Sequence, residues 1–556
     1  MVTFDDEKEK KDLAEVRHRE EEELIQFLAE KHGIPYIDLT LHPIESDALR
    51  IVPETEARAA KLAPFSINGK KVSVAIFTPN TKEVQTLLKK LQTAGYELEL
   101  YMASTKSLLK AWGFYQELSH SAESHLGTVE MSANAIKEAA TNIKRLLDVI
   151  PEIDEVVASK APNRISRLIE IILGGAIALE ASDIHIEPEE ERVKLRFRLD
   201  GILQEVISFD RATYTLMNSR IKILSGLKLN LKKEGQDGRF SVDLGDKSIE
   251  IRTSLLPGAY GESIVLRLLD PESIAVPLES LGMHEILLGI IEKGIAKPNG
   301  MLLTTGPTGS GKTTTLYAFL RKIHVPGIKI ITIEDPIEYH LQGITQTQVE
   351  SEKKYTFANG LRASLRQDPD VIMIGEIRDE ETAEIAINAS LTGHLVFSTL
   401  HTNNAAGTFP RLIDLGVNPK AITSAITLAM AQRLIRKLCE ACKTKTPISE
   451  KDKLRIEAIL SSMPKRISLP QKESYWVAKG CDTCNDLGYK GRTGIYEAIV
   501  TDGDIEKIVR ENPSEREIAA VAAKQEIPNM QQDGILKVLS GVTSLEELER
   551  VISLEF

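Results

Sequence analysis

A glycine-rich segment at residues 306–313 has the residue types and the spacing of a phosphate-binding loop. It reads Gly-Pro-Thr-Gly-Ser-Gly-Lys-Thr and lies between an apolar stretch at 301–305 and a segment with helical periodicity. Glycines allow backbone N–H groups to turn inward around phosphates, and the N-terminus of the following helix favours anions. Lys312 is predicted to contact the β- and γ-phosphates, and the Thr313 hydroxyl to bind Mg²⁺. The predicted nucleotide-binding residues are Gly306, Pro307, Thr308, Gly309, Ser310, Gly311, Lys312, Thr313 and Thr314.

Three glutamates end two apolar segments further along the chain. Glu334 and Glu338 belong to ITIEDPIE at 331–338, and Glu376 ends DVIMIGE at 370–376. In a parallel sheet, side chains at the carboxyl ends of strands lie at the edge where ligands bind. ATP hydrolysis needs one carboxylate to organise Mg²⁺ or its water and another to orient the attacking water. We assign the first role to Glu376 and the second to Glu338, with Glu334 as the competing candidate for the base.

Two histidines bracket the apolar segment HLVFSTLH at 394–401. Their odd separation places the two side chains on opposite faces of a strand. His401, at the carboxyl end, is the candidate sensor of the γ-phosphate. His394 follows a turn at Gly393 and is predicted to have a supporting role.

The chain's four cysteines form two Cys-x-x-Cys pairs, Cys439 with Cys442 and Cys481 with Cys484. Each pair has the spacing with which two thiolates bind one Zn²⁺, and four thiolates make a closed tetrahedral site. A redox Cys-x-x-Cys is the alternative, but redox chemistry would not require two copies. The pairs therefore predict a structural zinc site, because no ligand position stays open for catalysis.

Strand and helix patterns that could position these residues alternate from about residue 281 onward. Strands are predicted at 301–305, 329–333, 371–374 and 394–400, and a helix capped by Asp379 at 379–391. This alternation predicts a parallel sheet with helices on both faces. Short strands at 193–199, 248–252 and 263–268 predict a smaller α/β unit upstream, and the first 115 or so residues mix a helix at 21–31 with a strand at 71–77.

The bulk composition is that of a globular protein with several domains. Its 556 residues exceed what one hydrophobic core can organise. A net charge of -12, from 69 basic and 81 acidic side chains, argues against tight nucleic-acid binding. The charged N-terminus lacks the apolar region of a secretory signal, and no stretch approaches the roughly 20 apolar residues of a membrane span. We therefore expect a cytoplasmic protein, at most peripheral to the inner face of the membrane.

Four segments together resemble the secretion-ATPase superfamily: GPTGSGKTTTLY, ITIEDPIEY, LRQDPDVIMIGEIRD and TGHLVFSTLHTNNA. In that family they are the Walker A, Asp box, Walker B and His box. The likeness is closest to the assembly (extension) ATPases of type IV pili and their type II secretion counterparts. One departure is Pro410, where the family usually has a non-proline helix, which puts the local helix geometry in doubt.

The resemblance extends to segments at 181–188, 196–201, 236–239 and 265–270. In the family, such segments belong to a second N-terminal domain, and arginines of that domain reach the nucleotide from a neighbouring domain. The resemblance therefore implies phosphate-facing roles for Arg196, Arg198, Arg239 and Arg252, with Arg267 nearer the domain junction. Ordinary surface arginines remain the alternative for each of them.

The resemblance implies a homo-hexameric, Mg²⁺-dependent ATPase motor that binds ATP, Mg²⁺ and Zn²⁺ and acts on an inner-membrane platform protein. The cysteine pairs favour assembly or secretion, because pilus retraction ATPases lack them. Type IV pilus assembly is predicted first, with type II secretion or a DNA-uptake pseudopilus motor as alternatives, and an ATP-binding scaffold with little turnover as a different class. Some relatives bind cyclic-di-GMP through an Arg-Leu-Gly motif; none occurs in the first 150 residues, so binding is not expected.

The predicted fold is α/β, with a RecA-like P-loop motor domain and a smaller α/β domain before it. An N-terminal α/β docking domain and a zinc-bound C-terminal lobe complete the prediction. The predicted limits are 1–115 for the docking domain, 116–160 for a linker, 161–272 for the second N-terminal domain, 273–430 for the ATPase core, 431–500 for the tetracysteine lobe and 501–556 for a helical region.

Overall fold

A computed structural model gives the fold and describes residues 21–554 except 23, 41, 43, 50, 69–70, 94, 119–132, 160, 162, 246, 351–353, 471–472 and 512. Residues 1–20 of the predicted docking domain, and 119–132 and 160 of the predicted linker, therefore lie outside the described residues. The chain forms two compact units, Met1–Glu130 and Met131–Phe556. This division is coarser than the predicted five domains and one linker, whose limits stay a prediction.

The first unit is a three-stranded sheet with helices, in the order β1-β2-β3. β2 pairs with β1 antiparallel and with β3 parallel. Helix α4 buries Val84, Leu87 and Leu91, whose spacing places them on one helix face. The strand predicted at 71–77 is β2, and the helix predicted at 21–31 is α1. The elements are α1 (24–32), α2 (Ser46–Leu49), α3 (Glu54–Ala59), β1 (Leu62–Asn68), β2 (Lys71–Ile76), α4 (Lys82–Thr93), β3 (Glu97–Met102) and α5 (Thr105–Leu118).

The first sheet of the second unit has six antiparallel strands in the order β6-β5-β4-β9-β8-β7. One side of this sheet is buried, as the strict alternation of buried and half-buried residues along β5 shows. Helices α6, α7 and α9 pack against the apolar helix α8. The elements are α6 (Ala133–Asn142), α7 (Leu146–Ala158), α8 (Arg164–Ala178), β4 (Asp183–Pro188), β5 (Val193–Leu199), β6 (Ile202–Phe209), α9 (Arg211–Leu224), β7 (Gln236–Asp243), β8 (Ser248–Gly258) and β9 (Gly261–Leu269).

A seven-stranded sheet follows, in the order β12-β11-β13-β14-β10-β15-β18. All its pairs are parallel except β15 with β18. Alternate residues of β13 and β14 enter two different hydrophobic cores, so helices cover both faces, as predicted. The elements are α10 (Pro271–Ile274), α11 (Glu285–Ile295), β10 (Gly300–Thr305), α12 (Lys312–Ile323), β11 (Ile330–Glu334), β12 (Thr345–Gln348), α13 (Phe357–Leu365), β13 (Val371–Ile374), α14 (Glu380–Leu391), β14 (Leu395–Leu400), α15 (Thr408–Asp414), α16 (Pro419–Ala425), β15 (Ile426–Leu438) and β18 (Tyr489–Val500).

The remaining elements lie between β15 and β18 and after β18. A two-stranded sheet pairs β16 with β17 antiparallel. Near the C-terminus, the buried carboxylate of Glu547 binds the guanidinium groups of Arg436 and Arg550, which ties α21 to β15. The elements are β16 (Thr444–Pro447), α17 (Glu450–Ser461), β17 (Ser474–Val477), α18 (Gly503–Arg510), α19 (Glu515–Ala522), α20 (Met530–Leu539) and α21 (Leu545–Val551).

Two local predictions can be compared directly with the structure. The Asp379 side chain accepts a hydrogen bond from the backbone N–H of Thr382 and caps α14, as predicted. Pro410 does not disrupt α15, because it is the third residue of the helix, where the missing N–H would have no partner within the helix anyway. Among the described residues, no helix combines the length and the apolar character needed to cross a bilayer.

Candidate functional site

The glycine-rich loop joins the end of β10 to the start of α12. Gly306, Gly309 and Gly311 have φ angles of 149°, 76° and 90°, which favour glycine. A Cβ atom on Gly306 would lie 2.6 Å from the Gln432 carbonyl oxygen and 2.7 Å from Ser310 Oγ. The loop therefore requires glycine both for its backbone angles and for its close packing, as a phosphate-binding loop does.

Lys312 is the first residue of α12 and is buried against the loop. Its Nζ donates to the carbonyl oxygens of Gly306 at 2.8 Å and Pro307 at 3.1 Å. Burial lowers the pKa of Lys312, the negative charge of Glu376 opposes this shift, and the positive charge of Arg433 adds to it. The next two residues of the helix, both predicted to bind nucleotide, are half-buried Thr313 and Thr314.

The parallel register brings Glu376 and His401 together just beyond the ends of β13 and β14. His401 Nε2 lies 3.0 Å from Glu376 Oε2, and Arg378 Nε donates to Glu376 Oε1 at 2.5 Å. His394 lies at the opposite end of β14, with Nδ1 3.0 Å from the carbonyl oxygen of Ala389. The two histidines therefore have different environments. His401 lies beside Glu376 at the edge of the sheet where the glycine-rich loop begins.

Glu334 and Glu338 have very different surroundings although they are four residues apart. Glu334 is 2% exposed and accepts hydrogen bonds from Thr332 Oγ1 at 2.5 Å, Gln346 Nε2 at 3.0 Å and the Tyr317 hydroxyl. Burial raises the pKa of Glu334, and these three hydrogen bonds oppose the rise. Glu338 is half-buried in a turn, so solvent reaches its side chain.

A row of charged side chains crosses one face of the six-stranded sheet. The strand register places Arg239 opposite Arg252, Arg252 opposite Arg267, and Asp183 opposite both Arg267 and Arg198. Directly opposed residues of antiparallel strands point to the same face. Asp183 accepts from Arg267 Nε at 3.0 Å and lies 3.1 Å from Arg198 Nε. We refer to these four arginines and the aspartate as the arginine row.

Arg252 connects the arginine row to the seven-stranded sheet. Its Nη1 donates to Glu338 Oε2 at 3.0 Å and its Nη2 to the carbonyl oxygen of Ile337 at 2.5 Å. Arg196 instead pairs with Glu187 on the neighbouring strand β4. Of the arginines singled out in the sequence, the structure thus brings Arg252 to a predicted catalytic acid, whereas Arg196, Arg198 and Arg267 pair with acids of their own sheet.

Two residues that the sequence patterns did not indicate also contact the loop, and both come from β15. Gln432 Nε2 donates to the carbonyl oxygen of Ser310 at 2.6 Å. Arg433 donates to the carbonyl oxygens of Gln432 at 3.0 Å and Asn403 at 2.6 Å. The available signal was a polar pair directly after the mostly apolar run at 426–431, which by itself points to no particular site.

The four cysteines form one cluster, with all four sulfur atoms within 4.8 Å of one another. Three of the S···S distances are 3.7, 3.8 and 3.9 Å. Zn–S bonds of about 2.3 Å in a tetrahedral site place neighbouring sulfurs about 3.8 Å apart. The donor set and its spacing therefore fit Zn²⁺, whereas the sulfurs of a disulfide would be about 2.05 Å apart.

The segment around the second cysteine pair also contacts the part of the chain that carries the six-stranded sheet. The side chain of Asn485 accepts from the backbone N–H of Leu146 at 2.8 Å, and Asp200 accepts from the N–H of Gly491 at 2.9 Å. Arg145 lies 3.3 Å from Asp482. The four-cysteine cluster thus lies next to a junction between the two larger sheets.

Comparison with known proteins places this site in a family context. A family model described as "Type II/IV secretion system protein" matches residues 158–550, and one described as "MshEN domain" matches residues 32–122. Type II secretion system protein E of Pseudomonas aeruginosa is 45% identical over 446 residues, covering 80% of this chain and 87% of the relative. Type II secretion system ATPase E of Vibrio cholerae is 38% identical and covers 92% and 99%. Type IV pilus assembly ATPase PilB of Myxococcus xanthus is 36% identical and covers 95% and 91%.

Proposed function

The chain belongs to the type II/IV secretion system protein family of ATPases, and from this we propose that it is the Mg²⁺-dependent motor of a type II secretion machine. The family resemblance of the sequence placed type IV pilus assembly first and type II secretion second. The relatives favour the second, because seven of them, at 38–45% identity, carry type II secretion names. Pilus assembly remains the second candidate, supported by the likeness to PilB over 95% of this chain.

The observation that carries the proposed ATP hydrolysis is the Glu376–His401 pair at the sheet edge beside the glycine-rich loop. Lys312 would bind the β- and γ-phosphates, and the loop N–H groups would surround them. The Thr313 hydroxyl and Glu376 offer oxygen ligands suited to Mg²⁺, which would neutralise charge on the phosphates. His401 would sense the γ-phosphate through its contact with Glu376.

We assign the general base to Glu338 because of where the structure puts the two competing carboxylates. Glu334 is buried and holds three hydrogen-bond donors, so it has little access to an attacking water. Glu338 lies in an accessible turn and contacts Arg252 of the arginine row. We propose that Glu334 positions this turn through Gln346, which also donates to the carbonyl oxygen of Tyr339.

The assignment predicts different kinetics for two isosteric variants. Glu338→Gln should lower kcat by about 100-fold or more, because a general base contributes on the order of 10²–10⁴-fold. Glu334→Gln should lower kcat less than about 10-fold but reduce stability by about 1–3 kcal/mol, because its amide nitrogen would face buried donors. Steady-state ATPase assays and thermal unfolding of both variants measure this. A larger kcat loss in Glu334→Gln than in Glu338→Gln would transfer the base to Glu334.

We further propose that ATP closes the two larger sheets on each other through the arginine row. A γ-phosphate that contacts both sheets would stabilise the closed arrangement more than the open one. Its loss on hydrolysis would weaken the contact made by one of the two sheets. Arg252 already bridges to Glu338, and Arg239 lies directly opposite it in the register. Arg196 is the less suited candidate, since it pairs with Glu187. Six copies in a ring, as the family likeness suggests, would transmit this closure to a membrane-embedded platform protein from the cytoplasmic side.

The first unit is proposed to be the partner-docking part of the motor. Its match to the MshEN domain weakens the expectation that cyclic-di-GMP does not bind, because that expectation depended on one missing Arg-Leu-Gly motif. The four-cysteine cluster is proposed to hold a structural Zn²⁺, which would cross-link the chain segments around it. Nucleic acid is not a proposed ligand, in keeping with the net charge of -12.

An experiment in the native host distinguishes the two client machines. Chromosomal Glu338→Gln should abolish secretion of the type II substrates while surface pili remain, because the motor would bind ATP without completing its cycle. Secreted proteins and surface pili are counted in the same cultures, with the variant's abundance checked by immunoblot. Loss of pili with normal secretion would instead establish pilus assembly. Normal secretion and normal pili at wild-type abundance would contradict both assignments.

A further inference from the structure

The segment at residues 401–407, which we term the His401 loop, is held to the interior at several points. The backbone N–H of Thr402 donates to Thr305 Oγ1 at 2.8 Å, which joins the loop to the last residue of β10. The carbonyl oxygen of Asn403 accepts from Arg433 at 2.6 Å. These contacts place the loop directly against the start of the glycine-rich loop.

Glu497 on β18 provides a third attachment for the His401 loop. Its Oε1 accepts from the backbone N–H of Ala405 at 2.8 Å, and its Oε2 accepts from the N–H of Met530 at 3.2 Å. Burial raises the pKa of Glu497, while these two hydrogen bonds and the positive charge of Arg433 oppose the rise. A carboxylate held away from water costs free energy unless hydrogen bonds satisfy both of its oxygens. Glu497 therefore requires both of these N–H groups to stay in place.

Arg433 faces the glycine-rich loop from the same side as Glu497. Its Nη1 lies 3.1 Å from where a Cβ atom of Gly306 would be, and it also donates to the carbonyl oxygen of Gln432. Burial lowers the pKa of Arg433, and the negative charge of Glu497 opposes the shift. The planar guanidinium can hold two carbonyl oxygens in fixed directions, which a lysine could not.

We infer that Glu497 is a positioning residue for ATP turnover: together with Arg433 it fixes the His401 loop against the glycine-rich loop, and so aims His401 at Glu376. This inference builds on the proposed ATPase function and adds residues from two strands outside the four motif segments. Neither residue needs to touch the nucleotide. A displacement of about 1 Å of a catalytic group can cost on the order of 100-fold in rate, so such attachments have kinetic consequences.

The direct test is Glu497→Gln in the full-length chain. The amide keeps one oxygen but places an NH₂ group against either the Ala405 or the Met530 N–H, so one attachment is lost. We expect kcat to fall by about 10-fold or more with KM for Mg-ATP within about 2-fold, because His401 would be misaligned but the glycine-rich loop intact. Hydrogen exchange of the Ala405 amide should become faster, which is measurable without any turnover.

A double-mutant cycle separates positioning from general destabilisation. If Glu497 acts through His401, then His401→Ala combined with Glu497→Gln should have the kcat of His401→Ala alone. Multiplying losses in the double variant would overturn the inference, because they would show independent effects. Arg433→Lys gives a second route if Glu497→Gln folds poorly: it keeps the charge but not the planar fork, and it should show the same kcat loss that His401→Ala masks.

Glu547→Gln is the matched control, since Glu547 is a buried carboxylate that, like Glu497, accepts a backbone N–H, that of Arg436 at 3.0 Å. It binds Arg436 and Arg550 rather than the His401 loop, so it should lower the melting temperature but leave kcat of the folded protein within about 2-fold. Wild-type kcat in folded Glu497→Gln would overturn the inference while leaving the proposed function intact. A lack of ATP turnover by the wild-type chain would instead refute the proposed function itself.

Discussion

Replacing Lys312 with alanine is expected to lower kcat for ATP hydrolysis by at least about 100-fold, the usual effect of removing one group that stabilises transition-state charge. The ammonium of Lys312 lies at the start of α12, buried beside the loop carbonyls, where water would screen it little. Removing it would leave the charge that develops on the transferred phosphoryl group without one of the cations that stabilise it. Phosphate-release assays at saturating Mg-ATP measure the change.

Lys322→Ala is the control for this experiment, because Lys322 lies in the last turn of the same helix. Its exposed ammonium pairs with Glu279 and Glu292, and surface pairs of this kind contribute about 0–1 kcal/mol to stability. We expect Lys322→Ala to hydrolyse ATP at the wild-type rate. The Lys312 variant should keep the wild-type circular dichroism spectrum and melting profile, and near-normal turnover by this folded protein would refute the nucleotide site.

The second large effect is expected at the four-cysteine cluster. Cys442→Ser should lower the zinc content well below one ion per chain, because serine is a poor ligand for Zn²⁺ in place of a thiolate. Structural zinc sites contribute about 10–16 kcal/mol of binding free energy, which is as large as the stability of a whole domain. The variant should therefore melt earlier and aggregate, while the folded fraction binds nucleotide with nearly unchanged affinity.

Metal analysis of the purified protein and a nucleotide titration measure the two effects separately. Thr483→Ala is the matched control, since Thr483 is an exposed residue between Cys481 and Cys484 and should retain full zinc. Full zinc content in Cys442→Ser would rule out the four-thiolate site. A loss of nucleotide binding as large as the loss of zinc would mean that the cluster shapes the ATP site, contrary to the structural role.

Four strands of the seven-stranded sheet, β10, β11, β13 and β14, could be predicted because the pattern that marks each of them is local in the sequence. The run at 371–374 is apolar throughout and the run at 395–400 is interrupted only by Ser398 and Thr399, which is typical of parallel strands buried on both faces. Once the strands are parallel, their carboxyl ends meet at one edge, so Glu376 and His401 could be expected at the same edge; the strand order that makes β13 and β14 neighbours came from the structure. The cysteine cluster could be predicted equally well, since the spacing within each pair determines how two thiolates can share a metal.

The remaining parts of the site depend on contacts between distant parts of the chain. Gln432 and Ser310 are 122 residues apart, and Glu497 and Ala405 are 92 residues apart. No pattern in β15 or β18 shows which loop those strands will meet. The choice between Glu334 and Glu338 as the general base was also open. The two side chains differ in burial, and their burial depends on Tyr317 and on elements that follow later in the chain.

The cysteines lie at the two ends of the segment between β15 and β18. This position has a consequence for the changes of length that the segment can tolerate. Cys439 directly follows β15, Cys484 comes shortly before β18, and these strands are paired up to Leu438 and Tyr489. With Zn²⁺ bound, the cluster would fasten both ends of the intervening segment beside the last residue pair of the sheet. The entropy cost of closing a loop grows only slowly with its length. Changes of length in the exposed stretches of the segment between the two pairs should therefore leave the strand register of the sheet unchanged, whereas α17 is fixed, because its Ile456, Ile459 and Leu460 lie in the main hydrophobic core.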